Sequence, residues 1–513
     1  RWFGWHIGVA YNIGFALLMA LSLGLAWDFA QRQIRQRSSR WILLAALALG
    51  GTGITPLIGW LVQNPDTNPP FSSVNDQMWA SARFIGNYDQ RINTDFGAKL
   101  FPPAAKPTAD YEVRELPMEN FGYQFFLGDF HPPLGGFFLL FLMLALIAWR
   151  EQVRQANLNA KYPASTSAVV PFLLALCGPA MLMTNTWVLP MQVVLLLAWC
   201  GWCFWQERRI EWQALLAGGV TGLILIYPFL TSFATHALNT PIRFTNAIDL
   251  TDPLRLFALM WPLLALFGLS LIDKKQRPLA LLFVGAFGAM LLLGEFTFVD
   301  DPSGGKFERT NTTMKWWGWM WSGGLLTAGA LALASSRKWV RWASLAVLCA
   351  PLYALVFTAQ YWQHVPKGSA GRMDGTYWFT KERAIGAAVN YLKDAPRGVV
   401  LENHLGDAFT NQTVFSLFSG QATLLGWPHH VSLWHAGAPD VWILNAQIKE
   451  FYKGSAPDAL GWLAQNNVRY VVWGHSERYS DKWQQVHESI AGRYDWYAFS
   501  NQPGDRVGVW VRR

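Results

Sequence analysis

The sequence predicts a polytopic α-helical membrane protein with about ten spans and a C-terminal extracytoplasmic α/β domain. Composition is the first reason: of 513 residues, 52% are hydrophobic and 14% are charged, whereas soluble proteins carry about 25% charged residues. The second reason is that apolar runs able to cross a ~30 Å hydrocarbon core recur as far as residue 359. The third is that residues 360–513 contain only short apolar stretches. We therefore expect a transmembrane domain at 1–359 and a soluble domain at 360–513.

Ten apolar runs are the candidate spans, because each holds about 18 residues or more with few charges. They are residues 7–27, 41–62, 132–149, 167–183, 188–205, 213–233, 255–272, 278–294, 316–335 and 343–359. The gap between the second and third runs leaves a long outer loop at 63–131.

Basic residues concentrate in the short connections at one end of these spans. The connections are residues 31–40, 150–161, 206–212, 273–277 and 335–342. The positive-inside rule places that end in the cytoplasm. The net charge of +8 is therefore an orientation signal, and we expect no nucleic-acid partner. The same rule predicts that residues 360–513 lie outside.

The cysteines favour packing over redox chemistry. Cys177, Cys200, Cys203 and Cys349 all lie in predicted spans, and although Cys200 and Cys203 have redox-motif spacing, no histidine lies near them. The chain begins RWFGWHIGVAYN, with neither Met nor a signal-peptide pattern. We expect further helices upstream.

The first polar cluster on the outer side is RELPMENFGYQFFLGDFHPPLGGFFLLFL at 114–142, in which GDFHPP at 128–133 lies where the outer loop becomes the third span. The two prolines suit the first turn of a helix, which places Asp129 beside a positive helix terminus. One interpretation is a helix cap followed by an interfacial histidine. The other is that Asp129 and His131 face a cleft as a catalytic or metal-binding pair.

The second cluster, TNTWVLP at 184–190, joins two spans by a short turn. Thr184 and Asn185 are suited to capping the next helix, and Trp187 fits the aromatic belt of a membrane interface. Capping is the simpler interpretation, and Asn185 is also a candidate substrate-binding residue.

The third cluster, GEFTFVDDPSGGKFERTNTTMKWW at 294–317, puts many charges at the mouth of an apolar segment. Carboxylates there are costly unless paired, hydrated or bound to a cation. Glu295, Asp300 and Asp301 are oxygen ligands suited to Mg²⁺ or Mn²⁺. A forked arginine binds phosphate, and a helix beginning near 308 puts Glu308, Asn311 and Lys315 on one face. A loop of internal salt bridges is the alternative to a site where Arg309, Asn311 and Lys315 bind an anion.

The fourth cluster, SGQATLLGWPHHVSLWHAGAPDVW at 419–442, is marked as a loop of the predicted soluble domain by Gly and Pro, and it holds His429, His430 and His435. Its histidines are candidate zinc ligands, but the adjacent pair cannot easily face one ion. Stacking of Trp427, His430 and Trp434 on a sugar ring is favoured. Around this loop, strand-like runs at 397–403, 468–474 and 506–513 alternate with helix-like runs at 381–394, 440–454 and 458–467, which predicts an α/β domain.

The motifs together resemble the YYY family of prokaryotic multi-span membrane proteins. The resemblance rests on MWASARFI (78–85), FFLGDFHPP (125–133), TNTWVLP (184–190), ERTNTTMKWW (308–317), GQATLLGWPHHVSLW (420–434) and NNVRYVVWGHSER (466–478). It implies a C-type glycosyltransferase fold that uses a lipid-phosphate-linked sugar on the outer face. It also implies that the protein is located in a bacterial or archaeal cytoplasmic membrane. The tyrosine triplet that names the family is absent, and GWPHH departs from the expected GW…HE pattern. In C-type folds the catalytic carboxylate usually lies in the first outer loop, which upstream helices would contain.

The sequence thus predicts transfer of a sugar from a polyprenyl-phosphate donor, with membrane lipid and lipid-linked sugar as partners. Asp129 is the predicted general base, with His131 orienting it. The alternative is a non-catalytic structural or assembly subunit with protein partners in a larger membrane complex. A transporter is disfavoured because the spans carry almost no ionisable residues.

Overall fold

A computed structural model describes residues 6–61, 77, 80, 81, 97, 99, 108, 111–128, 130–157, 168–232, 240–364, 371–404, 406, 410–434, 440–502 and 504–513. The chain forms two compact units. The larger contains Phe15–Ser232 and Thr240–Val365, and the smaller contains Arg1–Gly14, Phe233–Asn239 and Pro366–Arg513.

The larger unit is a helical bundle. Its helices, with α1 continuing from the smaller unit, are α1 Ile7–Gln33, α2 Arg37–Leu49, α3 Ile58–Leu61, α4 Phe121–Leu127, α5 Pro132–Asn157, α6 Val169–Asn185, α7 Leu189–Glu207, α8 Trp212–Ser232, α9 Pro253–Ser270, α10 Arg277–Phe296, α11 Thr310–Leu333, α12 Lys338–Leu352 and α13 Ala354–His364. The short strands β1 Ile242–Phe244 and β2 Thr297–Val299 pair antiparallel.

Among the described residues, seven stretches are long and apolar enough to cross a membrane. They are Ile7–Gln33, Pro132–Ala156, Val169–Glu207, Trp212–Thr231, Pro253–Ser270, Arg277–Phe296 and Lys338–Gln363. The predicted total of about ten spans stays a prediction. The stretch Val169–Glu207 is interrupted by a 3₁₀ turn at Thr186–Val188, and α2 has only 13 residues.

Helix α11 is the centre of the bundle rather than a lipid-facing helix. Every residue from Trp316 to Leu333 is buried, and the helix packs against α2, α5, α9, α10 and α12. A helix without lipid contact needs close packing more than hydrophobicity. This explains why tryptophan, glycine and threonine replace much of the aliphatic content that lipid-facing spans carry.

At one end of the bundle, Asp273 joins two helical hairpins. Its carboxylate accepts hydrogen bonds from the Ser336 N–H at 2.6 Å, the Ser336 hydroxyl at 2.8 Å and the Ser335 hydroxyl at 3.0 Å. The hydrogen bonds from Ser336, together with one from the Lys275 N–H, hold the pKa of Asp273 well below its usual value. The turn after α9 is thereby fixed to the turn after α11.

The smaller unit contains a five-stranded mixed sheet covered by helices. Its strands are β3 Val399–Leu401, β4 Ala422–Thr423, β5 Val468–Trp473, β6 Tyr494–Gln502 and β7 Asp505–Arg512, in the order β4-β3-β5-β7-β6. Its helices are α14 Tyr377–Thr380, α15 Arg383–Asp394, α16 Val414–Ser419, α17 Pro428–Trp434, α18 Asp440–Tyr452, α19 Ala459–Gln465 and α20 Trp483–Ile490. Strands β4, β3 and β5 are parallel, whereas β7 and β6 add antiparallel.

Two apolar clusters lie on opposite faces of this sheet. Leu401, Val471 and Trp473 pack with residues of α18, α19 and α20, while Val400, Tyr470 and Val472 pack with residues of α15 and α16. Alternate residues of a strand point to opposite faces, so β3 and β5 are covered on both sides. This burial accounts for the apolar runs at Val399–Leu401 in β3 and at residues 470–473 in β5.

Candidate functional site

The end of the bundle opposite Asp273 carries a network of buried ionic groups centred on Asp249. The Asp249 carboxylate accepts hydrogen bonds from the Tyr111 hydroxyl and from Arg114 Nε, both at 2.7 Å. Burial alone would raise the pKa of Asp249. The hydrogen bonds from Tyr111 and Arg114 stabilise its carboxylate form, so the pKa is lowered overall. Arg114 also pairs with Glu308 at 3.0 Å. Three segments that are distant in sequence are thus joined here.

Arg309, predicted to bind phosphate, is fully buried in the same network. Its guanidinium donates to the carbonyl oxygens of Asp249, Gly294 and Glu295 and lies 3.6 Å from the Glu295 carboxylate. The carbonyl groups of Gly294 and Glu295 belong to the last turn of α10, where carbonyl groups have no hydrogen-bond partner within the helix. Arg309 therefore closes the end of one helix just before the next begins.

The three predicted metal ligands each have protein donors. Glu295 accepts from the Thr251 N–H at 2.6 Å and the Thr251 hydroxyl at 2.8 Å. Asp300 pairs with Arg243 at 2.7 Å, and Asp301 accepts from the Asn311 side chain. Within the described part of the chain, no group of three His, Cys, Asp or Glu side chains is arranged to hold a metal ion. The metal site stays a prediction.

Lys315 has different surroundings from Arg309. Its ammonium donates to Asn311 Oδ1 at 2.7 Å and lies 5.0 Å from the centre of the Trp187 ring. It also lines a cavity of about 10 Å³, which holds about one water molecule. The lining residues are Glu119, Pro133, Phe137, Asn185, Val188, Met314, Lys315 and Trp319.

Desolvation lowers the pKa of Lys315 to about 8, opposed by the negative charges of Glu119 and Asp301. The ammonium is therefore charged at neutral pH but close to its titration range. The described residues supply one hydrogen-bond acceptor for its three N–H groups. A partly buried cation with donors to spare is suited to binding an anion.

Four segments meet around this cavity. The N–H of Glu119 donates to the Met314 carbonyl at 3.0 Å, and Trp319 Nε1 donates to the Gly136 carbonyl at 3.0 Å. Trp316 Nε1 donates to the Trp187 carbonyl at 2.5 Å. The start of α5, the turn after α6 and the start of α11, which were three separate clusters in sequence, are thus neighbours.

The remaining predicted residues of this end are placed as follows. Asp129 lies outside the described residues. His131 is partly buried just before α5, two residues from the cavity-lining Pro133. Asn185 is buried, lines the cavity and makes no side-chain capping hydrogen bond to the following turn. The capping role considered for Asn185 is therefore not observed, while its substrate-binding role stays a prediction.

The aromatic and histidine loop of the smaller unit forms helix α17 and the residues before it. Trp427 and His430 contact edge to face, with ring centres 5.4 Å apart. The rings of His429 and His430 are 6.2 Å apart. The side chain of Trp434 lies outside what the structure describes. Their sugar-binding role stays a prediction.

Sequence reasoning missed several residues of the network. Glu119, Tyr111, Arg114 and Asp249 were not singled out, although they surround the predicted cluster. Glu119 had one detectable signal, since it lies in the motif-bearing stretch that leads to Asp129. Nothing in the sequence pairs Asp249 with Arg114, because 135 residues separate them.

The apolar helices and the comparison with known families together define this chain as a multi-pass membrane protein. More particularly, residues 1–247 match the model of the family described as uncharacterized membrane protein, DUF2298. Residues 129, 131 and 185 lie inside the match, whereas 295–315 and 427–434 lie outside it. No curated protein and no solved structure matches the chain.

Proposed function

We propose that this protein is a membrane glycosyltransferase-like enzyme that takes a sugar from a polyprenyl-phosphate donor on the outer membrane face. The observation that carries the proposal is Lys315, a partly buried cation with free donor capacity beside a small cavity at the end of the bundle, whose wall also holds Glu119 and Asn185. The resemblance of the surrounding motifs to the YYY family supports the same reaction. Lys315 takes over the phosphate-binding role that the sequence assigned jointly to Arg309 and Lys315.

The chemistry needs an anion site and a base. The acceptor hydroxyl oxygen bonds to the anomeric carbon while the bond from that carbon to the phosphate oxygen breaks. The electron pair remains on the lipid phosphate, where Lys315 stabilises the developing charge. The hydroxyl proton passes to a carboxylate base, for which Asp129 is the proposed residue, with His131 orienting it. Asn185 and Asn311 would orient the phosphate or the sugar.

Glu119 has a supporting role in this scheme. Its side chain is buried beside Lys315 in the cavity wall. Its negative charge favours the ammonium form of Lys315, so it keeps the cation charged without touching the reacting atoms. Removing it should weaken phosphate binding more at high pH than at low pH.

A divalent ion is the part of the proposal that the contacts support least. Glu295, Asp300 and Asp301 would have to exchange Thr251, Arg243 and Asn311 for an ion. We therefore propose a phosphate site that works through Lys315. Loss of activity in EDTA that added Mg²⁺ or Mn²⁺ restores would instead support the predicted metal site.

The test is discharge of a defined donor by the purified full chain in nanodiscs. Polyprenyl-phosphate mannose and polyprenyl-phosphate glucose are supplied, and release of polyprenyl phosphate is measured. We expect Lys315→Met to lower kcat/KM about 100-fold, about 2.7 kcal/mol of transition-state stabilisation. Asp129→Asn should abolish transfer while the protein still inserts normally.

Lys275→Met is the matched control, because Lys275 is exposed in the turn between α9 and α10. It should discharge the donor at the rate of the unmodified protein. Full activity in Lys315→Met would remove the phosphate-binding role, and full activity in Asp129→Asn would remove the role of base.

The second candidate is a non-catalytic subunit of a larger membrane complex. It is favoured by the ion pairs at this end of the bundle, because most charged side chains there are paired within the chain. The pairs are Arg114–Asp249, Arg114–Glu308, Arg243–Asp300 and Arg309–Glu295. Such a network would stabilise the shape of this surface without taking part in a reaction. A native complex with stoichiometric partner chains and no discharge of either donor would establish this role.

A further inference from the structure

Polar side chains that the proposed function does not use are buried at one edge of the smaller unit's sheet. Each is at most 8% exposed. They are Glu402, His404, Gln412, Asn445 and Glu477. Polar groups this deeply buried normally have hydrogen-bond partners, so the contacts of each indicate what it does.

The topology makes this edge a place for a ligand. Strands β3 and β5 are parallel neighbours, so their carboxyl ends lie side by side. The chain leaves β3 toward β4 on one side and leaves β5 toward β6 and β7 on the other. Where connections depart in opposite directions, an open α/β sheet has a crevice that binds ligands. Glu402 directly follows β3, and Glu477 lies shortly after β5.

Glu402 has a structural task at this edge. Its carboxylate accepts hydrogen bonds from the Ser416 N–H at 2.8 Å, the Ser416 hydroxyl at 2.7 Å and the Phe415 N–H at 3.1 Å. These contacts hold the first turn of α16. Phe415 in turn packs on Gly474, where an added Cβ would lie 2.4 Å from the ring. The ends of β3 and β5 are thereby held together.

The neighbouring groups are not satisfied in this way. Glu477 accepts the Gly474 N–H at 3.1 Å with one oxygen, and its carboxyl group also interacts with the Asn403 side chain, while its Oε1 makes no other hydrogen bond among the described residues. Both amide atoms of Gln412 and the Oδ1 of Asn403 also have none. Each such buried group costs about 1–3 kcal/mol. Several such groups near the carboxyl ends of β3 and β5 suggest a ligand that would complete their hydrogen bonds.

The chemistry of these groups selects the ligand. An amide donates and accepts, and the carboxyl of Glu477 does both at neutral pH because burial raises its pKa to about 7. Among the described residues of this edge, neither Lys nor Arg is buried, so the set fits an uncharged ligand better than an anion. Sugar hydroxyls, which donate and accept, match such a set.

We infer that the crevice at the carboxyl ends of β3 and β5 binds an uncharged sugar, held through its hydroxyl groups by Gln412, Asn403 and Glu477. This site lies in the smaller unit and goes beyond the proposed function, since it needs neither lipid nor phosphate. Trp427 and His430 follow β4, whose carboxyl end lies at the same edge because β4 is parallel to β3.

The experiment measures binding of free glucose, galactose, mannose and N-acetylglucosamine to the purified full chain in nanodiscs, by saturation-transfer NMR and titration. We expect at least one of them to bind. Gln412→Met and Glu477→Gln should each weaken that binding by about tenfold or more, which corresponds to about 1.4 kcal/mol. Gln484→Met and Glu488→Gln, at exposed positions of α20, are the matched controls and should bind normally.

Thermal unfolding separates lost binding from lost folding. Gln412→Met keeps the side-chain volume and removes two unpartnered buried atoms, so it should unfold at the same temperature or a higher one. Binding in Lys315→Met should be normal, which distinguishes this site from the donor site. Absence of binding by all four sugars, or unchanged binding in both Gln412→Met and Glu477→Gln, would overturn the inference.

Discussion

Arg309 and Lys315 lie six positions apart and have different surroundings. Carbonyl oxygens of the α10 terminus and the loop at 249 surround the Arg309 guanidinium. Lys315 faces a cavity and has one acceptor from the described residues. A planar guanidinium with five donors suits a cage of carbonyl groups, whereas a compact ammonium suits a point contact with phosphate. Residue type and spacing predicted both as anion binders, but only their contacts separate the roles.

The pH dependence of donor discharge follows from Lys315. Its ammonium is charged below a pKa of about 8, so kcat/KM should be highest below that value and fall as the pH rises through it. Between pH 7 and pH 9 the charged fraction drops about tenfold. The donor is a phosphodiester and keeps its charge over this range.

Lys315→Arg provides the control for this pH profile, because arginine remains charged throughout. The alkaline fall in kcat/KM, which reports the free enzyme, should disappear in that variant even if its activity is lower. An unchanged alkaline limb would assign the titration to another group.

At the scale of elements, helix α11 organises the larger unit because small residues let neighbouring segments approach it. A Cβ added to Gly318 would lie 1.7 Å from the Glu119 carbonyl oxygen. Glycine is therefore required for the segment before α4 to lie against α11, and this contact positions Glu119 beside Lys315. Helix α11 therefore carries Lys315 and, through the close contact at Gly318, also determines the position of Glu119.

Gly318→Ala should consequently displace the segment at 119–120. We expect a destabilisation of about 1–3 kcal/mol from overpacking, seen as a lower unfolding temperature, together with reduced donor discharge. Gly288→Ala in α10 is the matched control, since an added Cβ there meets nothing within 4 Å. That variant should be neutral or slightly stabilising, and equal behaviour of the two variants would contradict the packing argument.

At the scale of the whole molecule, the larger unit has two polar ends with different chemistry. One end holds the Asp273 junction and the basic connections, including the Arg150–Glu207 ion pair at 2.9 Å. The other holds the Asp249 network and the Lys315 cavity. The positive-inside rule predicts that the first end lies in the cytoplasm and the second outside.

Cysteine labelling tests this orientation in whole cells. Ser303→Cys, at an exposed position in the acidic loop before α11, should react with a membrane-impermeant maleimide added outside. Lys275→Cys, at an exposed position of the opposite end, should react only after the membrane is opened. The unmodified chain controls for its own four cysteines. The reverse pattern would invert the topology and move the candidate site to the cytoplasm.

In the smaller unit, the sequence predicted strands β5 and β7 but not the edge strand β6. The strand-like run at 468–474 is observed as β5 at Val468–Trp473, and the run at 506–513 as β7 at Asp505–Arg512. The edge strand β6 at Tyr494–Gln502 was missed, because its sequence mixes aromatic and polar residues without a buried run. Central strands are specified by continuous apolar residues, whereas an edge strand depends more on its partner.

The sequence by itself determined the membrane class, the separation of apolar helices from the C-terminal α/β region, and the stretches where polar groups collect. These features depend on hydropathy and periodicity, which are local. Only the tertiary structure decided that Arg309 is enclosed while Lys315 faces a cavity, that Glu119 is its neighbour, and that Gln412 and Glu477 are buried with side-chain atoms that make no hydrogen bond. Those properties arise from contacts between segments far apart in the chain, where packing fixes which polar groups find partners.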